Sequence, residues 1–184
     1  MYNNTRKKIL IQISKKLNWK LWKKIKNFSI YILESIEGKN LYRIVGEMPS
    51  DANNCINLIS DSKIRETISN GSMKCELLER KNKTVWYEKI IFNSDSKNPL
   101  YSIEKIIINL KNNAILTYSE EPNNNKGTND YNKRNNLFTL IKFKNITTNK
   151  CKITVILSFN EFEMGQESIV KASIEHFDAF KQTL

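Results

Sequence analysis

The segment Gly38-Lys39-Asn40-Leu41-Tyr42-Arg43-Ile44-Val45-Gly46-Glu47-Met48-Pro49-Ser50-Asp51-Ala52, running on to Ile59 and then Asp61-Ser62-Lys63-Ile64-Arg65, decides how the chain is read. Leu41 to Met48 has the composition of a strand. Pro49 cannot donate to a sheet ladder and stops it. Ser50 or Asp51 then offers a short side-chain oxygen to the free amides of a helical first turn. Ala52, Cys55, Ile56 and Ile59 recur at helical spacing and supply an inner face. A shorter helix is expected around Ser62 to Ile68. The segment is therefore a strand that crosses directly into a pair of short helices.

Working outward, Phe28 to Ser35 alternates as a strand and pairs with Leu41 to Met48 through the turn Ile36-Glu37-Gly38-Lys39. Downstream come Met73 to Arg80, a Lys81-Asn82-Lys83 turn, Thr84 to Phe92, Ser102 to Leu110, Ala114 to Ser119, Leu137 to Ile146 and Cys151 to Phe159. Together they read as an antiparallel meander. Glu120 to Asn136 is Asn-rich, with Pro122 and Gly127, and is expected to be a mobile loop. Ser168 to Leu184 reads as a long final helix, with Val170, Ile174, Phe177, Phe180 and Leu184 along one side. In front, residues 5–26 of a basic stretch spanning 1–26 place Leu10, Ile13, Leu17, Leu21 and Ile25 at three- and four-residue steps, which predicts an amphipathic helix. The class is α+β: a mostly antiparallel sheet with one long apolar helix to lay across it.

Composition bounds the function. With 184 residues, one domain is the default. No apolar run approaches the ~20 residues of a membrane span, and the N-terminus lacks the plan of a signal peptide, so a cytoplasmic location is expected. Cys55, Cys75 and Cys151 are far apart and His176 is the one histidine. That makes a zinc site a poor reading and buried thiols a good one. No nucleophile motif and no carboxylate pair at telling spacing argues for an enzyme. The net charge of +11 is one-sided: no Asp or Glu precedes Glu34, while Arg6, Lys7, Lys8, Lys15, Lys16, Lys20, Lys23, Lys24 and Lys26 all do. Such charge favours an anionic partner, whether membrane surface, nucleic acid or acidic protein. Arginine, the usual base reader, is scarce, which disfavours nucleic acid.

The Leu41-Tyr42-Arg43 strand, the Asp61-Ser62-x-x-Arg65 junction, the strand start Thr84-Val85-Trp86-Tyr87, and Phe159 followed by Gly165-Gln166 occur in an order that resembles a START domain, the lipid-transfer module related to the steroidogenic acute regulatory protein. Within that family the likeness is to the phosphatidylcholine-transfer type. The resemblance runs from Trp19 to the C-terminus. It implies a helix-grip fold, a curved antiparallel sheet wrapped around the C-terminal helix, with one lipid in a tunnel between them. It implies a non-enzymatic carrier of a phosphatidylcholine-like lipid, with no cofactor, acting as a monomer in transient contact with anionic membranes. Sterol carriage, lipid sensing and a helix-grip enzyme are the alternatives it leaves open.

By the same resemblance, Arg65 falls where a guanidinium meets the lipid phosphate, and a bidentate fork suits that task. Phe143 and Phe159 fall on aromatic positions that box a choline, and Asn145 near the ester region. Trp86 and Glu88 lie close by, with Glu88 about where the family has a tryptophan, so that a carboxylate would face the ammonium. The family's tryptophan and aspartate after Arg65 are replaced by Glu66-Thr67-Ile68, and its Arg-Asp-aromatic motif is absent near Ser102-Ile103-Glu104. Membrane docking is expected through Trp19, Trp22, Lys23 and Lys24 of the basic stretch, and through Phe177 and Phe180 of the last helix.

Overall fold

The computed structural model describes residues 18–36, 39–92, 97, 100–120, 122, 136–159 and 166–184. In chain order these hold β1 (Lys20–Ile25), β2 (Phe28–Ile36), β3 (Lys39–Met48), α1 (Ala52–Ser60), α2 (Ser62–Ile68), β4 (Met73–Asn82), β5 (Val85–Phe92), β6 (Leu100–Asn109), a single 3-10 turn (Leu110–Asn112), β7 (Ala114–Ser119), β8 (Asn136–Thr147), β9 (Lys150–Phe159) and α3 (Gln166–Gln182). The strands form one curved antiparallel sheet in the order β1-β2-β3-β9-β8-β7-β6-β5-β4. All neighbours are hairpin partners except β3 and β9, whose pairing joins the first three strands to the last six. The α+β class and the helix-grip architecture expected from the sequence are what the chain adopts.

Alternation fixes which face each strand buries. Tyr42 and Ile44 of β3, Ile106 of β6, Ile115 of β7, Ile141 and Phe143 of β8, and Ile153, Val155 and Leu157 of β9 share one core with α1 and α3. Leu41, Tyr118, Phe138 and Ile156, one residue out of phase with these, build a second cluster on the opposite face. Gly46 is needed for packing: a Cβ there would lie 2.4 Å from the Phe28 ring, which is itself buried.

The crossover behaves as its residues dictate. Asp51 Oδ1 accepts from the amides of Asn53 (2.8 Å) and Asn54 (3.0 Å) and starts α1. Asp61 ends α1, its amide donating to the Leu58 carbonyl at 3.1 Å, and its Oδ1 then accepts from Lys63 and Ile64 to start α2. One aspartate thus sets the bend between two helices and the position of Arg65 beyond it. Val170, Ile174, Phe177 and Phe180 turn the buried side of α3 toward the sheet. The backbone of α3 approaches β3 and α2.

The amphipathic helix expected over 5–26 is corrected where it can be seen: Lys20–Ile25 is an edge strand paired to β2. Residues 1–17 lie outside the described residues. Lys26, with φ of 51°, and Asn27 close a two-residue turn that returns the chain onto β2. Backbone pairing, with Trp22 and Ile25 packed on the core, overrides the three- and four-residue spacing. The loop expected over 120–136 falls mostly outside the described residues, and Asn136 already belongs to β8.

Candidate functional site

The inward positions of β5 and β6 carry charge where their neighbours are apolar. Arg65 Nη2 of α2 donates to Glu88 Oε2 of β5, and the two side chains are only 11% and 4% exposed. Trp86 Nε1 donates to the other carboxylate oxygen of Glu88 at 2.7 Å. Directly across the ladder, Glu104 of β6 is buried as well. It accepts from Ser102 Oγ at 3.1 Å, and Ser102 lies 3.3 Å from Ser119 Oγ. Removing two charges from water costs several kcal/mol each, offset only by close pairing and further hydrogen bonds. Glu88 has both. Arg65 does not, since its Nε is buried and donates to no protein atom.

Neighbouring contacts hold this arrangement in place. Glu66 Oε1 accepts from the Cys75 amide at 2.6 Å, which ties α2 to the edge strand β4. Burial pushes the Cys75 thiol up to about 11, against the opposing pull of the Arg65 charge. His176 on α3 is held below its usual value, first by burial and then by the Arg65 charge. The imidazole thus feels the Arg65 charge, although it stands 111 positions further along the chain than Arg65.

Cross-strand rows show how the concave face is divided. One row, Ile108, Ile115, Ile141, Val155, Ile44 and Ile30, crosses six strands with no polar side chain. The next row holds Trp86, Ile106, Thr117, Thr139, Leu157 and Tyr42. The row after that is Glu88, Glu104 and Ser119. The interior thus grades from hydrocarbon to charge. Thr117 and Thr139 sit on the central strands between buried Ile106 and buried Leu157, yet remain partly exposed. A helix packed directly on those strands would have buried them.

The six ligand-site residues expected from the sequence separate into two groups. Arg65, Trp86 and Glu88 come together in one hydrogen-bonded cluster. Phe143 is buried in the apolar core opposite Ile153, six residues before Phe159 on β9, so ~20 Å of strand separates the two aromatic positions. The Phe159 side chain lies outside the described residues. Asn145 Oδ1 accepts from the Ala52 amide at 2.7 Å and caps α1 instead of reaching the charged cluster. Glu104, Ser102 and His176 were missed, although the inward phase of β6, Ser102-x-Glu104-x-Ile106-x-Ile108, could have revealed the first two.

The residues expected to dock on membranes are mostly engaged within the protein. Trp22 packs on Tyr42 with ring centroids 5.8 Å apart, and Lys23 Nζ lies 4.2 Å over the Trp22 ring. Arg43 is stacked between Trp19 (4.9 Å) and Tyr31 (4.4 Å), and burial lowers its pKa. Lys24 is exposed on the edge strand. Phe177 and Phe180 are 6% and 0% exposed and point inward.

No family profile and no curated protein sequence matches the chain. Solved structures do. Human StAR-related lipid transfer protein 5 superposes with a TM-score of 0.73 at 12% identity, over 99% of this chain and 93% of that one. Human STARD10 gives 0.72 at 12% identity, over 94% and 77%. Zhui aromatase/cyclase from Streptomyces sp. R1128 gives 0.59 at 7% identity, over 79% and 93%. Proteins named for lipid transfer and a protein named for cyclisation share this scaffold, so the fold alone does not separate carrier from enzyme. Nine antiparallel strands closing on a C-terminal helix, with those superpositions, establish that the chain has the helix-grip fold of START domains.

Proposed function

We propose that the chain is a non-enzymatic lipid carrier that holds one lipid between the concave face of the sheet and α3. The observation that carries this reading is the buried Arg65–Glu88 pair with an unsatisfied guanidinium nitrogen, set at the polar end of an otherwise apolar interior. An amphiphile matches that gradient. Its chains would enter where Thr117 and Thr139 stay partly exposed, and its polar head would give Arg65 Nε the acceptor it lacks. Partly exposed Thr117 and Thr139 support room for a guest there. The similarity to proteins named for lipid transfer supports the same reading.

The finer part of the proposal is a zwitterionic, phosphatidylcholine-like head. Such a head presents an anionic phosphate and a cationic nitrogen, the reverse of the Arg65–Glu88 pair. Exchange of one pair for the other keeps both Arg65 and Glu88 partnered. Trp86 beside Glu88 would add a ring face for the ammonium, worth about 0.5–2 kcal/mol. Loading would involve transient contact with an anionic membrane. No helix among the described residues is long and apolar enough to cross one.

Organic extraction and native mass spectrometry of the purified protein test this. A lipid at one per chain is the expected result, and a protein that never acquires one refutes the carrier reading. Liposome-to-liposome movement of labelled phosphatidylcholine then distinguishes transfer from retention. Undiminished transfer by Arg65→Ala would exclude the phosphate role of Arg65.

A further inference from the structure

The turns β4–β5, β6–β7 and β8–β9 lie at one end of the sheet. The Ile108 amide donates to the Thr84 carbonyl at 2.8 Å, and the Phe143 amide to the Asn113 carbonyl at 2.9 Å, which seats each turn beside the next strand. Strand β7 pairs with β8 only as far as Lys142, so the β8–β9 hairpin extends beyond it. Pairing of Cys151 with Met48 and the Asn145 bond to α1 brace the hairpin from the other side.

This braced end is both basic and apolar. Lys144 stands directly opposite Lys152, both exposed, and Lys142 and Lys111 are exposed beside them. Like charges in register destabilise a ladder. Lys150 forms an ion pair with Glu47, the carboxylate that flanks Lys152 on β3, whereas Lys111, Lys142, Lys144 and Lys152 form none with the described residues. Leu110 of the β6–β7 turn and Ile146 near the end of β8 are 58% and 50% exposed, among the most exposed large apolar side chains of the described residues. Lys152 has Glu47 in register on its other side, but Lys144, Lys142, Lys111 and the two apolar side chains have no such return among the described residues.

We propose that this hairpin end is a docking surface for anionic bilayers, with Leu110 and Ile146 entering the headgroup–acyl boundary and the surrounding lysines neutralising lipid charge. A phosphate backbone would use the lysines but gives no role to Leu110 and Ile146. The surface is distinct from the edge strand and the α3 rings considered above, and it does not depend on which lipid the interior holds.

Flotation of the intact chain with mixed phosphatidylcholine–phosphatidylserine vesicles and with pure phosphatidylcholine vesicles tests the assignment. Each lysine near the surface contributes about fivefold to partitioning, so Lys144→Gln/Lys152→Gln should bind the mixed vesicles about 25-fold more weakly. Its thermal midpoint should change little, because relief of the Lys144–Lys152 repulsion offsets the lost attraction between Lys152 and Glu47. Leu110→Ser/Ile146→Ser should also weaken binding with the midpoint unchanged. Lys63→Gln/Lys171→Gln, with the same change in net charge elsewhere, should have little effect. Unchanged binding by the hairpin variants, or an equal loss from the control pair, overturns the proposal. So does vesicle-independent, salt-sensitive RNA binding that the lysine variant abolishes. Failure of lipid extraction alongside success here would refute the carrier reading and leave this surface standing.

Discussion

Breaking the Arg65–Glu88 pair from one side should be far more damaging than removing both charges together. Arg65→Met leaves the Glu88 carboxylate 4% exposed with Trp86 Nε1 as its one remaining side-chain donor among the described residues. Glu88→Gln leaves the guanidinium buried without a counter-charge. Stranding one member of a buried pair costs about 3–5 kcal/mol. That is a large share of the ~5–15 kcal/mol that holds a typical domain together. For a chain of this length it corresponds to a fall in melting midpoint of roughly 10 °C. In Arg65→Met/Glu88→Gln neither member of the pair is stranded, and the new amide oxygen can still accept from Trp86 Nε1. The double variant should therefore lie within about 1–2 kcal/mol of the parent, well short of the summed single effects. Urea melts of all four proteins after lipid extraction, followed by tryptophan fluorescence, measure the coupling. Single losses below about 1 kcal/mol that add in the double would mean the pair is solvated. The charged end of the interior would then be open to water, and the reasoning for a closed lipid site would fail.

Further outcomes follow from the geometry. Gly46→Ala forces a methyl into the Phe28 ring and should cost about 1–3 kcal/mol by thermal melting; no loss would show that β2 and β3 are more loosely packed than described. Asp61→Ala removes the oxygen that starts α2 and should cost about 0.5–2 kcal/mol, with lipid transfer reduced more than stability because Arg65 loses its fixed position. The folded His176 pKa lies below its unfolded value near 6.5, so the unfolded chain binds the proton first as pH falls. Stability should therefore drop as pH is lowered through about 6.5 and level off below the folded pKa. His176→Gln should flatten that limb, and an unchanged profile would place the imidazole in water. Cys55 and Cys151 are buried with Sγ atoms 3.6 Å apart and their thiol pKa values raised mainly by burial, as is that of Cys75. Thiol reagents at neutral pH should modify the native protein slowly, and rapid labelling of Cys55 or Cys151 would show that α1 opens readily.

The strand–helix crossover, the cap at Ser50 or Asp51, the meander and the terminal helix were all legible because each is set by residues within a few positions of one another. Alternation over two residues and capping over three are local chemistry. The same locality explains the failure at Lys20–Ile25, where side-chain spacing pointed to a helix and only the partner strand β2 and the packing of Trp22 on Tyr42 decided otherwise. Register explains the divided fate of the aromatic positions. Phe143 and Phe159 are both plausible from sequence, but the β8–β9 ladder separates them along its length.

What the sequence determined by itself was the order of elements, the inward phase of most strands and the place of Arg65 one turn into a capped helix. What the tertiary structure alone decided was the partner of that arginine. Glu88 is 23 residues away, and His176 lies on the last helix. Arg65 and Glu88 meet because α2, held against β4 and α3, lays its side chain on the buried carboxylate of β5. Burial of a charge depends on what lies above it, and no local pattern encodes that. The same reason hides the exposed hairpin end: Lys144 and Lys152 read as two scattered lysines until the ladder sets them opposite each other.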